Sequence, residues 1–231
     1  MLRPGGVRIA VTDLGSDGPV VVLLHGLAGS ARELLPTAHA LKEYRVFLVD
    51  QRGHGASTRL PDDLSRDAFV DDVVAVMEEL VPGQRATLVG QSMGAHTAFL
   101  AAAARPDLVA GLVMLEGHVS GNDDSHEAAG LGRYFASWPV PFEDEAAARG
   151  FLGDDAIVDA WVADLEQTDD GFVPRFDAEV MQRTIEAVHE QRWDEWEALQ
   201  VPTLAGLREA RDVQRRRQRR ADSAQAGDEQ G

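Results

Sequence analysis

The chain contains Val89-Gly90-Gln91-Ser92-Met93-Gly94, a stretch that lies between an apolar run and a segment of helical pattern. Gly90 and Gly94 stand two positions before and after Ser92, and residues this small leave room for a tight strand-to-helix turn that exposes the serine oxygen. Free N–H groups at the start of the following helix favour negative charge there. The stretch therefore predicts Ser92 as the nucleophile of an acyl transfer.

Short apolar runs alternate with amphipathic segments on both sides of this turn. The expected strands are 7–12, 20–24, 46–49, 86–89 and 112–115. The expected helices are 30–41, 65–80 and 93–104. Such alternation indicates an α/β fold with a mostly parallel sheet flanked by helices. The five apolar residues at 20–24 predict a strand buried on both faces.

The pattern changes after residue 118, because strand-like runs give way to acidic helical segments. These expected helices are 144–151, 155–165, 178–189 and 193–199, and an apolar run at 201–205 predicts a return to the sheet. We therefore divide the chain into a core at 1–118, a helical cap insertion at 119–200, a return strand at 201–206 and an Arg-rich tail at 207–231. The tail has only Leu207 and Val213 as large aliphatic residues, which predicts disorder.

Two further glycine-containing loops follow expected strands. The first, His25-Gly26-Leu27-Ala28-Gly29-Ser30, allows a close backbone approach, so the N–H of Leu27 can pair with that of Met93 as an oxyanion hole. The second runs from Asp50 to Ser57, and we interpret it as structural, with charges that fix the loop through local hydrogen bonds. A ligand contact by His54 is the alternative interpretation.

These three motifs, in this order, resemble the α/β-hydrolase fold family, and in particular its serine esterases, lipases and haloperoxidase-like members. The resemblance covers 1–118, and 119–205 is similar to the variable cap and the penultimate strand of the family. It implies a Ser–acid–His triad in that chain order, a small-molecule substrate with an ester-like carbonyl, and no metal or organic cofactor. Glu116, at the end of the fifth apolar run, matches an acid position of some members. His25, Gly26, Gly90 and Gly94 support the motifs.

The chain departs from the family at its C-terminal end, where the family places its histidine. The seven histidines are at 25, 39, 54, 96, 118, 126 and 189, so none follows Val201. Loss of one triad member costs roughly 10⁴–10⁶ in kcat. His96 and His118 are the nearest substitutes along the chain, ahead of His126 and His189, although a packed helix and a loop are the simpler interpretations of their positions.

Charge and composition limit the partners. The net charge of −17 disfavours binding to nucleic acid. This charge is unevenly distributed: residues 208–231 carry seven arginines and five acidic residues, whereas residues 1–207 have a net charge of −19. We expect the ending from about Gly206 to be a frameshift or truncation product rather than a basic arm that binds nucleic acid or membrane. There is no cysteine, which excludes disulfides, thiolate metal sites and a cysteine nucleophile. No apolar run approaches the ~20 residues of a membrane helix and the start is not signal-like, which predicts a cytoplasmic protein.

Three functions remain open from the sequence. The first is a serine hydrolase that forms an acyl-enzyme on Ser92, with activity impaired by the missing histidine. The second is a catalytically inactive binding module that keeps the pocket. The third is cofactor-free lyase or oxygenase chemistry on the same scaffold.

Overall fold

The structure is a computed structural model, and it describes residues 1–119 and 125–206. Its strands are β1 Ala10–Asp13, β2 Val20–Leu24, β3 Arg45–Asp50, β4 Ala86–Gln91, β5 Val109–Leu115, β6 Glu166–Thr168, β7 Gly171–Val173 and β8 Thr203–Gly206. Its helices are α1 Leu35–Ala40, α2 Arg66–Leu80, α3 Met93–Ala104, α4 Ser125–Ala136, α5 Glu145–Leu152, α6 Ala156–Ala163, α7 Ala178–Val188 and α8 Trp193–Glu197. The expected Arg-rich tail at 207–231 lies outside the described residues.

Six strands form one sheet in the order β1-β3-β2-β4-β5-β8. Only β1 is antiparallel to its neighbour, and the other pairs are parallel. Strand β2 lies between β3 and β4, which explains why all five of its residues are apolar and buried. The expected fold, a mostly parallel sheet flanked by helices, is confirmed. The parallel arrangement brings the loops after β2, β3, β4 and β5 to one edge of the sheet, which is where α/β proteins place their sites.

Helices α2 and α3 cover the central strands. Helix α2 begins after Ser65, whose hydroxyl accepts a hydrogen bond from the N–H of Ala68 at 3.3 Å. Helix α3 is rich in alanine and buried along nearly its whole length, because it lies between the sheet and neighbouring helices. Phe99 of α3, 0 % exposed, packs in the main apolar cluster with residues of the sheet and α2.

Two local predictions are wrong. The first strand begins at Ala10 rather than at residue 7, because the chain from 2 to 8 folds back on itself through a bridge between Leu2 and Arg8. The segment at 119–200 is not entirely helical, since β6 and β7 form a short antiparallel hairpin. Phe142 extends this hairpin by exchanging backbone hydrogen bonds of 2.8 Å with Phe172.

The segment between β5 and β8 packs around its own aromatic cluster. The buried aromatic residues that this segment contributes to the cluster are Phe135, Trp138, Phe142 and Phe176. The same cluster contains four buried residues of the core at 1–118, which are Ala28, Leu64, Phe69 and Met93. The cap and the core are therefore joined by one continuous apolar layer. No helix of the described ranges combines the length and the apolar character needed to cross a bilayer.

Candidate functional site

Ser92 occupies the turn between β4 and α3 in a strained backbone conformation. Its φ of 51° and ψ of −116° lie outside the regions that non-glycine residues normally adopt. Two hydrogen bonds fix this geometry: the Ser92 N–H donates to the Leu115 carbonyl at 2.8 Å, and the His96 N–H donates to the Ser92 carbonyl at 3.1 Å. The predicted nucleophile thus stands at a sharp turn at the helix N-terminus, the arrangement of a nucleophile elbow.

The two glycines of the motif are required by close backbone approach. A Cβ at Gly90 would overlap the carbonyl of Gly94, and a Cβ at Gly94 would overlap the carbonyl of Leu24. Both obstacles are backbone atoms, which cannot move aside as a side chain would. The strand, the turn and the loop after β2 therefore pack so closely that any larger residue at either position would separate them.

The loop after β2 lies directly against this turn. A Cβ at Gly26 would overlap the side-chain oxygen of Gln91 and lie 3.5 Å from the Cβ of Ser92. Within the described ranges, the backbone N–H groups of Leu27 and Met93 donate to no other residue. Two free donors beside Ser92 fit the predicted oxyanion hole, although this role stays a prediction.

His25 fixes the loop from behind. Its Nδ1–H donates to the Gly26 carbonyl at 2.7 Å, and its Nε2 accepts the backbone N–H of Gln51 at 3.0 Å. The Gln51 side-chain amide in turn donates to the His25 carbonyl at 2.8 Å. Burial lowers the pKa of His25 more than the nearby charge of Asp50 raises it, so the ring stays neutral. His25 therefore supports the motif by tying the loop after β2 to the loop after β3.

The loop after β3 is held by local polar contacts, as its sequence predicted. The Asp50 carboxylate accepts the N–H of Ala31 at 2.6 Å and that of Ala56 at 2.9 Å, so it links two loops. Arg52 makes a buried two-point ion pair with Asp72 of α2, at 2.7 and 2.9 Å. His54 is fully buried, and its Nδ1 contacts the Arg52 carbonyl rather than open solvent.

Ser92 opens into a cavity of about 160 Å³ between the core and the cap. The other residues that line it are His96, Glu116, Gly117, His118, Leu131, Ile185, Val188 and His189. Glu116, at the end of β5, has a φ of 56°, and its carboxylate accepts a hydrogen bond from the Gln91 amide at 3.1 Å. The structure thus brings Ser92, Glu116 and three histidines to one cavity. The side chain of His126 lies outside what the structure describes.

Sequence reasoning did not associate α7 with this cavity. The helix expected at 178–189 is present as α7, and it buries Val180, Ile185 and Val188. Which part of the core these residues meet depends on tertiary packing, so the sequence offered nothing to place His189 beside Ser92. The described ranges contain no group of three His, Asp or Glu side chains arranged to hold a metal ion.

Comparison with known proteins supports the fold over most of the chain. The family described as alpha/beta hydrolase fold matches residues 19–172. The crystal structure of E-2-(acetamidomethylene)succinate hydrolase superposes with a TM-score of 0.77 at 25% identity, covering 87% of this chain and 76% of that one.

Sequence relatives match about half of the chain. The 2-(acetamidomethylene)succinate hydrolase of Mesorhizobium japonicum is 33% identical over 113 residues, which is 48% of this chain and 40% of the relative. The sn-1-specific diacylglycerol lipase ABHD11 of Mus musculus is 38% identical over 120 residues, 50% of this chain and 38% of the relative. The matches thus span about two fifths of the length of these relatives. By its fold, its loop motifs and the match at 19–172, the chain belongs to the α/β-hydrolase fold family.

Proposed function

We propose that the chain is a serine hydrolase that cleaves a small ester-like carbonyl substrate through an acyl-enzyme on Ser92. The observation that carries this proposal is the strained Ser92, which opens into a cavity beside two free backbone N–H groups. A φ of 51° at a non-glycine residue costs free energy, and such strain is retained where it serves a function.

The proposed reaction proceeds in two steps. The Ser92 Oγ forms a bond to the substrate carbonyl carbon as its proton passes to a base, and the oxygen that becomes negative accepts hydrogen bonds from the Leu27 and Met93 N–H groups. The leaving alcohol or amine takes that proton, and water then hydrolyses the acyl-enzyme. This chemistry uses only side chains, backbone donors and water, and its partner is a small molecule.

A cavity histidine is the proposed base. His96 is unsuitable, because burial lowers its pKa to about 3 and leaves it too weak to accept a proton near neutral pH. His118 is exposed, lines the cavity with Ser92 and follows Glu116 by two residues. We therefore propose His118 as the base and Glu116 as the acid that accompanies it.

The names of the relatives suggest the range of bonds to test. The relative from Mesorhizobium japonicum is named as a hydrolase of a substituted succinate, and the mouse relative as a lipase that acts on diacylglycerol. We accordingly propose that small amides, as well as esters, are candidate substrates.

The test is hydrolysis of a short-chain nitrophenyl ester together with labelling by an activated phosphonate. We expect turnover and stoichiometric labelling in the unaltered chain, and loss of both in Ser92→Ala. The matched control is Ser137→Ala, since Ser137 is exposed in the cap and its hydroxyl only contacts the Tyr134 carbonyl. Labelling without turnover would favour the inactive binding module, and turnover unchanged in Ser92→Ala would refute the proposal.

A further inference from the structure

Within the described ranges, one buried cation that binds Thr97 of α3 has no anionic partner. Arg66, the first residue of α2, is 3 % exposed. Its guanidinium carbon lies 4.5 Å from the centroid of the Phe69 ring. One terminal nitrogen donates to the hydroxyl of Thr97. Its Nε and its other terminal nitrogen have no hydrogen-bond acceptor among the described residues.

The contrast with Arg52 shows that this is unusual for the chain itself. Arg52 is equally buried, yet both of its hydrogen-bonding edges are satisfied, by the Asp72 carboxylate and by the Asp63 carbonyl. A buried charge without a counter-ion is strongly unfavourable, because it loses its hydration and gains nothing in return. Arg66 is therefore the one of these two buried arginines that lacks an anion.

His96 is the neighbour of Thr97 in α3, the residue to which Arg66 donates. It is 1 % exposed, it lines the cavity with Ser92, and neither of its ring nitrogens has a hydrogen-bond partner among the described residues. Burial, followed by the charges of Arg66 and Arg192, lowers the pKa of His96 to about 3. The ring is therefore neutral near pH 7, with one N–H free to donate, in a region of positive potential.

The other charged groups around the cavity leave the surroundings of His96 positive. Arg192 is offset by Glu190 at 2.8 Å and Glu195 at 3.0 Å. Glu116 is the carboxylate that lines the cavity, and the Gln91 amide binds it at 3.1 Å. His118 and His189 also line it. An anion is therefore favoured beside His96.

We infer that the cavity binds a carboxylate of the substrate, which accepts a hydrogen bond from His96 and is stabilised by the uncompensated charge of Arg66. The inference rests on the proposed function, since the bound carboxylate is taken to belong to the acyl group that Ser92 attacks. A cavity of about 160 Å³ has the volume of roughly five water molecules, which suits a short acyl chain that ends in one carboxylate. The substrate class is therefore a small carboxylated ester or amide.

Calorimetry on the Ser92→Ala chain tests the site without turnover. The probe is glutaramate, which carries one carboxylate and one amide, and its matched control is glutaramide, in which an amide replaces the carboxylate. We expect glutaramate to bind and glutaramide to bind at least about tenfold more weakly, as for loss of a hydrogen bond to a charged group. Equal binding of the two probes, or no binding of glutaramate, would overturn the inference.

Variants locate the bound carboxylate. Each variant is made in the Ser92→Ala chain. We expect Arg66→Met and His96→Leu each to weaken glutaramate binding by about tenfold or more. The control is Arg149→Met, which removes an exposed cap arginine paired with Asp159 and should leave the binding unchanged. If circular dichroism shows that Arg66→Met is unfolded, His96→Leu decides the question. Unchanged affinity in a folded variant would place the carboxylate elsewhere and refute the site.

Two further arms separate the possible outcomes. Inorganic phosphate should bind at least about tenfold more weakly than glutaramate, and equal binding would indicate a general anion site instead of a carboxylate site. Selective glutaramate binding without Ser92-dependent hydrolysis would refute the proposed function alone. Ser92-dependent hydrolysis without selective glutaramate binding would refute the carboxylate site alone.

Discussion

Replacement of Glu33 by glutamine should stabilise the protein above neutral pH and have no effect in acid. Glu33 lies in the short 3₁₀ turn Ala31–Leu34 that follows the loop after β2. Its carboxylate covers Gly29 so closely that a Cβ there would overlap the Oε2 atom. That oxygen is buried without a hydrogen-bond partner among the described residues. Burial raises the pKa of Glu33 from 4.5 to about 7.

The magnitude follows from the difference between the two pKa values. The folded protein holds the proton of Glu33 up to about pH 7, whereas the unfolded chain releases it near 4.5, so stability falls as the pH rises between these values. At about 1.36 kcal/mol for each pH unit, the ionised carboxylate costs about 3 kcal/mol above pH 8. Below pH 4.5 both states are protonated and the cost disappears. Glu33→Gln removes the charge and should recover this free energy.

Urea unfolding followed by tryptophan fluorescence at pH 4 and pH 8 measures the effect. We expect Glu33→Gln to raise the free energy of unfolding by about 3 kcal/mol at pH 8 and to leave it unchanged at pH 4. Glu43→Gln, at an exposed position before β3, serves as the control and should change neither value. An equal effect of Glu33→Gln at both pH values would show that lost packing, not charge, is responsible, and would refute the reasoning.

Two other perturbations follow from buried charges and rings. Asp72→Ala should destabilise the protein by about 3–5 kcal/mol in urea unfolding, because it leaves Arg52 charged, buried and unpaired; a loss no greater than that of the exposed Asp107→Ala would contradict this. Burial lowers the pKa of His54 from 6.5 to about 3, so the unfolded chain binds a proton that the folded protein does not, and stability falls as the pH drops below about 6.5. We therefore expect His54→Leu to reduce the slope of the unfolding free energy against pH by about 1.4 kcal/mol per pH unit between about pH 4 and 5.5. An unchanged slope would show that His54 is protonated in the folded state.

The parts of the fold that local sequence controls were predicted well. The run at 20–24 forms β2 with the predicted bounds, because a strand buried on both faces needs an uninterrupted apolar sequence. Helix α3 also has its predicted bounds, and Ser65 caps α2 as expected. These features depend on the spacing of apolar residues and on capping, both of which can be seen without knowledge of tertiary contacts.

The features that were missed depend on contacts between distant segments. Strands β6 and β7 have three residues each, too few for an alternating pattern. They pair with each other, and β7 also pairs with Phe142. The hydrogen bond from Arg66 to Thr97, the neighbour of His96, joins two helices that the sequence predicted correctly but separately. Neither residue lies in a motif, so their proximity is apparent only in three dimensions.

The apolar layer that joins cap and core limits how new substrate specificities can be obtained from this scaffold. Met93 supplies a proposed oxyanion donor through its backbone while its side chain packs in the same cluster as the cap aromatics. A cap transplanted from another hydrolase would therefore change the packing beneath the catalytic backbone itself. Such a chimera needs matching changes at Leu64, Phe69 and Met93. Substitutions at Ile185 and Val188, which line the cavity from α7, also change this shared layer, because both residues belong to it.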